Sequence, residues 1–380
     1  MKQFYPLSAF LTEYSEKNDG NKYRPVAVGR YGIRPRESIY SKELAKDYSK
    51  NKLIHKNTLT VGMGSVQIDI GILTEDITYS VSPAYHTYRI TGIDATYLRY
   101  CLECRNQDMF ARFVKRGSRQ GKTIDLKRWL TYEIPVYDMV RQAEIVDRLD
   151  RILGLIEKRR EQLLQLDQLV KSRFIELFGD PVGNPKGWTM VPLGTRCEII
   201  TGNTPSRAEA KNYGEFIEWI KSDNINTPYT FLTEAQEYLS EIGFQKCRFV
   251  EAGSLLMTCI AGSVNCIGNV AVADRRVAFN QQINAIVPNE DEVLYLYWLM
   301  LLSKPAIHRA INMALKGILS KRQLSEMMFP FPPVALQKQF VTFVEQTDKS
   351  KYYSSLSSQC YRKVVNTYRQ EWIKCQTSNF

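Results

Sequence analysis

The sequence predicts an α+β chain of two pseudo-repeated globular domains, joined by two long helices packed as an antiparallel coiled coil. Three observations carry that expectation. First, the chain aligns with itself: TIDLKRWLTYEIPVYDMVRQAEIV at 123–146 and ILSKRQLSEMMFPFPPVALQKQFV at 318–341 superpose without gaps at an offset of 195, with Pro135 on Pro330 and Gln142 on Gln337. A Gly-Ser-Val string at 64–66 and 262–264, and a Tyr-Leu pair at Tyr97 and Tyr295, repeat in the same order at an offset of 198. Matches in common order at a nearly constant offset mark a long-period duplication. Second, Ile145, Leu149, Ile152, Ile156, Arg159, Leu163, Leu166, Val170, Arg173 and Leu177 follow an unbroken 4-3 spacing, apolar at eight of ten places, which is the pattern of a coiled-coil seam. Third, this helix is halted in mid-chain: in IELFGDPVGNPKGW, Gly179 supplies a left-handed stop and Pro181 forbids resumption, so a second unit opens near Trp188.

In order along the chain, residues 1–138 form the first globular domain, 139–180 the first long helix, 181–333 the second domain and 334–380 the second helix. Short β-branched runs bounded by glycine, such as YRPVAVG, SVQIDIGIL, SLLMTCIAG and NVAVA, read as strands. DATYLRYCLECRNQDMFARFVKR and DEVLYLYWLMLLSKPAIHRAI each read as one helix packed on them. The second connector repeats the 4-3 spacing at its ends, with Phe340 and Val344, then Tyr361, Val365, Tyr368 and Trp372, around a polar middle. Two helices with exposed seams are expected to bury them on each other, holding the domains at opposite ends of a rod. The seam from Ile145 to Leu177 spans 32 residues, roughly 48 Å at about 1.5 Å per residue.

Composition narrows the function classes. With 44% hydrophobic and 24% charged residues the chain is an ordinary globular one. Its N-terminal stretch lacks the apolar core of a leader, and no run approaches the roughly 18 apolar residues that span a bilayer, so a cytoplasmic protein with no membrane partner is expected. The eight Cys are dispersed and are expected to be reduced; Cys101 and Cys104 form the only Cys-x-x-Cys pair, with no second pair to complete a metal site. The formal charge of +11 is uneven: residues 1–138 hold 22 Lys and Arg against 15 Asp and Glu, whereas residues 185–333 hold 14 of each. A basic first domain is consistent with a polyanionic partner.

Catalytic machinery is missing. His55, His86 and His308 are the only histidines and share no metal spacing. Phosphate loops, dinucleotide turns, nucleophile elbows and paired-carboxylate clusters do not stand out, and neither does the Asn/Asp-Pro-Pro-aromatic motif of amino-group methyltransferases. Paired domains on a ruler, without chemistry of their own, suggest recognition.

Over essentially its whole length the chain resembles the specificity subunit of type I restriction-modification systems. The carriers are IPVYDMVRQAEIVDRLD and its copy FPFPPVALQKQFVTFVEQ, the run LIEKRREQLLQLDQLVKSRFIELFGDPVGNPKGW, and TGNTPSR with AGSVNCIGNVAVA in the second half. The first domain departs from the pattern, with no TGNTPS-like opening and with Val136, Tyr137 and Asp138 where prolines are usual. The resemblance implies that each globular domain is a target-recognition domain reading one half of a split site in double-stranded DNA, while the helices fix the unread gap. It implies two methyltransferase subunits as partners, using S-adenosylmethionine on an adenine amino group, and restriction-motor subunits using ATP and Mg. No cofactor is expected on this chain, which is not expected to be an enzyme. An autonomous bivalent DNA-binding regulator is the alternative. A ruler of roughly 48 Å corresponds to on the order of 14 base pairs at about 3.4 Å each.

Cations near glycine-punctuated loops are the candidate DNA contacts, since Arg and Lys suit phosphate and guanine and Asn or Gln suits adenine. In FVKRGSRQGKT these are Lys115, Arg116, Arg119, Gln120 and Lys122; in its counterpart ALKGILSKRQ they are Lys316, Lys321 and Arg322. VGRYGIRPRE adds Arg30, Tyr31, Arg34 and Arg36, and WIKSDNIN adds Lys221, Ser222, Asp223 and Asn224. Ser65, Gln67, Ser263 and Asn265 flank the repeated Gly-Ser-Val, where turn packing is as good a reading as base contact.

Overall fold

A computed structural model of the chain describes residues 2–39, 47–117, 121–311, 317–350 and 367. Among these, the chain divides into two compact units, residues 2–159 with 367, and residues 160–350.

In the first unit β1 (Gln3–Pro6) and β2 (Leu11–Tyr14) precede a hairpin of β3 (Val26–Gly29) and β4 (Gly32–Pro35). Then come β5 (Lys52–Ile54), β6 (Thr58–Met63), β7 (Ile68–Leu73), β8 (Tyr79–Val81) and β9 (His86–Ile90), and the helix α1 (Ala95–Phe113). A second hairpin, β10 (Val114–Gly117) and β11 (Gly121–Ile124), is followed by α2 (Leu126–Trp129), β12 (Glu133–Val136) and α3 (Met139–Phe178). The central sheet is antiparallel in the order β2-β9-β6-β7, and β1 pairs with β12. β6 is buried at every position but Met63, Thr58 and Thr60 included, because both its faces are covered. Asp94 caps α1, accepting from the Tyr97 N–H at 2.8 Å. The edge of β7 is closed by Asn106 of α1, whose amide donates to the Ile68 carbonyl at 2.9 Å and accepts from its N–H at 3.0 Å. Trp129, Tyr97, Tyr88 and Leu59 fill the core beneath.

The second unit begins with β13 (Met190–Pro192), α4 (Leu193–Arg196), β14 (Cys197–Thr201), β15 (Tyr213–Ile220), α5 (Ser222–Ile225), β16 (Tyr238–Leu239) and α6 (Glu241–Gln245). It continues through β17 (Phe249–Val250), β18 (Ser254–Thr258), β19 (Val270–Ala273), β20 (Val277–Phe279), β21 (Ile283–Pro288), α7 (Val293–Leu302), α8 (Lys304–Ala310), α9 (Lys321–Glu326) and β22 (Met328–Pro330). Its main sheet, β14-β21-β18-β19, repeats the strand order of the first unit, and β13 pairs with β22 as β1 does with β12. A further sheet, β16-β15-β20-β17, stands where the first unit has two-stranded ribbons.

The elements depart from the sequence reading in three places. The run at 291–311 is two helices, broken at Ser303, because Pro305 in the first turn of α8 has no N–H to continue α7. Within FVKRGSRQGKT, residues 114–117 and 121–124 pair as antiparallel strands, Val114 leaving α1 in extended conformation. The seam also shifts near its C-terminal end: Val170, Phe174 and Phe178 are the residues buried there, while Arg173 and Leu177 are half-buried. A straight helix of 3.6 residues per turn drifts off a seven-residue repeat, and docking on a globular core selects the 4-4 spacing.

α3 is a single helix of 40 residues. Its seam positions Ile145, Ile152, Ile156, Leu163 and Leu166 are half-buried and Leu149 is buried, while the off-seam Leu155, Leu164 and Leu169 are exposed. Ile145 and Leu149 pack on the core of the first unit. Val170, Phe174, Leu177 and Phe178 pack on that of the second, with Phe340 and Val344 of the helix over residues 334–350. Each end of the seam is thus domain core, which the heptad pattern alone does not reveal. Tyr361, Val365 and Tyr368 lie outside the described residues. The stop is sealed by Trp188, whose indole N–H donates to the Phe178 carbonyl at 2.9 Å. Gly179 sits at φ 81°, and a Cβ there would lie 2.9 Å from Pro185.

Candidate nucleic-acid interface

The β10–β11 hairpin pairs Arg116 with Lys122 and closes at Gly117 and Gly121; Arg119 and Gln120 lie outside the described residues. Its lysines are spoken for. Lys115 Nζ lies 2.8 Å from Asp125 Oδ2, and this hydrogen bond holds the Asp125 carboxyl below its ordinary range. Lys122 donates to the Ser65 carbonyl and sits 5.2 Å from the centre of the Phe110 ring. The structure therefore joins two sequence-predicted features, the basic hairpin and the Gly-Ser-Val turn. Ser65 and Val66 are exposed at that turn, and Gln67 is half-buried.

The β3–β4 hairpin carries the second basic group. Gly29 pairs with Gly32, so Arg30 and Tyr31 form a two-residue turn. Arg34 and Arg30 lie 4.7 Å and 5.8 Å from the centre of the Tyr31 ring, and Arg36 lies 5.7 Å from that of Tyr48. A pocket of about 320 Å³ opens beside this hairpin, lined in part by Tyr31, Ile33, Ile72, Glu75, Arg99 and Glu103. Its two carboxylates set it apart from a phosphate site.

In the second unit Asn224 is buried and hydrogen-bonded within its own domain. It is 5% exposed, and its amide accepts from Lys221 N at 3.0 Å and donates to the Glu234 carbonyl at 3.0 Å, capping α5. Lys221 is hydrogen-bonded to Glu237 and lies 5.3 Å from the Trp219 ring centre. Arg207, which the sequence reading passed over, shares Glu237 at 2.9 Å and Trp219 at 5.4 Å. The cue for it was its place directly after TGNTPS. Glu237 is held below its ordinary range, by the Lys221 hydrogen bond first.

Lys304 was missed as well. Its ammonium donates to the Asn265 carbonyl at 2.7 Å and to the Asn269 side chain, fastening the second Gly-Ser-Val turn as Lys122 fastens the first. Ser263 and Asn265 are exposed there. Lys321 and Arg322 are exposed on α9, with Arg322 paired to Glu326 at 2.8 Å, and Lys316 lies outside the described residues. Cys101 is fully buried in α1, which pushes its thiol up to about 12 and away from the thiolate a metal needs. Among the described residues no group of three or more His, Cys, Asp or Glu is placed to hold a metal, and no helix is long and apolar enough to cross a membrane.

Two copies of one α+β unit, each presenting cations on hairpins and turns, define a duplicated fold with its side-chain variety at the tips. Residues 185–353 match the type I restriction modification DNA specificity domain. It is similar to the Type I restriction enzyme HindI specificity subunit of Haemophilus influenzae, 33% identical over 117 residues, covering 30% of this chain and 24% of that one. A putative type I restriction enzyme MjaX specificity subunit of Methanocaldococcus jannaschii is 21% identical over 269 residues, covering 65% and 59%. The chain thus spans less than two thirds of either relative. The fold is that of the type I restriction-modification system S subunit from M. genitalium, with TM-score 0.60 and 14% identity over 98% of this chain and 96% of the other. A chain from a structure of type I R-M complex assembly and conformational transition gives TM-score 0.56 at 16% identity, covering 98% and 97%.

Proposed function

We propose that this chain is the DNA sequence-specificity subunit of a type I restriction-modification complex. Residues 1–138 and 181–333 each read one half of a bipartite target in double-stranded DNA. Residues 139–180 and 334–380 pair as an antiparallel coiled coil, set the unread gap, and dock two methyltransferase subunits and the restriction-motor subunits. The chain performs no bond chemistry; partners supply S-adenosylmethionine, ATP and Mg-dependent steps. The observation that carries this reading is the duplication: one strand order and one buried glutamine bond repeat in both units, and a continuous helix runs out of the first. A repeated reader with a rigid spacer suits a split target, because phosphate and base contacts are then made twice at a defined separation. Support for the coiled coil comes from the half-burial of the α3 seam beside exposed off-seam leucines.

The test is co-expression with the methyltransferase encoded beside it, followed by long-read methylome sequencing. Adenine methylation at two short half-sites separated by a constant gap is expected. A contiguous motif, or methyl transfer by this polypeptide alone, overturns the proposal. A chain that binds DNA but never associates with the methyltransferase is the autonomous regulator instead.

A further inference from the structure

We infer that the β3–β4 hairpin is the sequence-reading finger of the first domain, entering the major groove so that Arg30 and Arg34 contact guanine edges on either side of Tyr31. The inference rests on the function proposed above and deepens it.

The hairpin is firmly seated and its tip is free. Val26 and Val28 face inward, and the Tyr85 hydroxyl donates to the Val28 carbonyl at 2.9 Å. Beneath it, a Cβ added at Gly71 would lie 2.6 Å from Ile33 and 2.9 Å from Val28, so β7 admits the hairpin only because it carries glycine there. The two-residue turn then projects Tyr31 with 69% of its surface exposed. A tyrosine this exposed at the apex of a ribbon adds little to the core of its own domain.

The cations beside it differ from three of the other candidates. Lys115, Lys221 and Arg322 are paired with Asp125, Glu237 and Glu326. Among the described residues Arg30 and Arg34 have no carboxylate partner and no hydrogen bond; each instead lies by the Tyr31 ring. Such stacking restrains the guanidinium plane without using its donors. A pre-oriented fork matches guanine O6 and N7 bidentately, and a two-stranded ribbon fits the major groove. A lysine point charge would serve phosphate equally well but not this geometry.

Arg30→Lys, Arg34→Lys and Tyr31→Ala variants of the full chain, assembled with its methyltransferase, are sequenced for methylation beside wild type. Each Lys variant is expected to relax one base position of one half-site, with discrimination there falling about 5- to 150-fold. The other half-site, the gap and the melting temperature stay unchanged. Where methylation is too sparse to sequence, competition binding with singly substituted targets reads the same quantity. An intact motif, or uniformly weaker binding with a shallower salt slope, overturns the finger while leaving the subunit's function standing. A wild type without a bipartite motif overturns both.

Discussion

Gln142 and Gln337, at an offset of 195, make the same pair of buried bonds in the two halves of the chain. The amide of Gln142 accepts from the Asp94 N–H at 2.9 Å and donates to the Tyr137 carbonyl at 2.7 Å. That of Gln337 accepts from Glu292 N–H at 3.0 Å and donates to the Pro332 carbonyl at 2.9 Å. Each glutamine therefore ties the N-cap of the main domain helix to the turn where the long helix begins. Only a side chain with both a donor and an acceptor can do this. A matching bond runs from the Tyr97 hydroxyl to the Pro135 carbonyl at 2.9 Å, and from Tyr295 to Pro330 at 2.7 Å.

Gln142→Ala strands the Asp94 N–H and the Tyr137 carbonyl, and is expected to destabilise the first unit by about 1–3 kcal/mol. Urea unfolding followed by hydrogen exchange in α1 checks this; unaltered protection there would count against the bond.

Phe174 packs with Phe178, Tyr295 and Phe340 at ring-centre distances of 4.9, 5.6 and 5.4 Å. Phe174→Ala is expected to destabilise the second unit by about 3–5 kcal/mol. Differential scanning calorimetry should show its transition move down while that of the first unit holds.

Glu218 accepts from Arg275 Nη2 at 2.7 Å and from Ala235 N–H at 2.8 Å. The Arg275 hydrogen bond holds its folded carboxyl below the ordinary value, against the opposing effect of desolvation. The stabilisation is therefore present above the unfolded glutamate value of about 4.3 and lost as pH falls through the lower folded one. The stability gap between wild type and Glu218→Gln should be wide at neutral pH and shrink in acid; a gap independent of pH contradicts it.

Inserting one heptad after Leu166 preserves the seam and lengthens the helix by about 10 Å, close to three base pairs. The methylated motif should keep both half-sites and gain a longer gap. An unaltered gap in an assembled complex would rule out the ruler.

Arg116→Ala with Arg119→Ala is expected to lower the salt dependence of DNA binding by about one unit per lost phosphate contact. Lys115→Ala should change it less, because Lys115 is already paired with Asp125. Filter-binding titrations across salt decide between them.

The sequence by itself determined the duplication, the long helix and its stop. Pro135 with Pro330, the 4-3 spacing from Ile145 and the glycine at 179 are local or periodic signals that need no knowledge of distant contacts. Tertiary structure alone decided which candidate cations are paired. Asn224 is a buried cap, and Lys115 and Lys221 are paired, whereas among the described residues Arg30 and Arg34 have no carboxylate partner. Lys304 reaches its turn across 39 residues and Arg207 reaches Glu237 across 30. Residue type sets what a side chain offers, but only the folded chain brings up the partner that uses it, because a hydrogen bond requires contact within about 3 Å that sequence spacing does not encode.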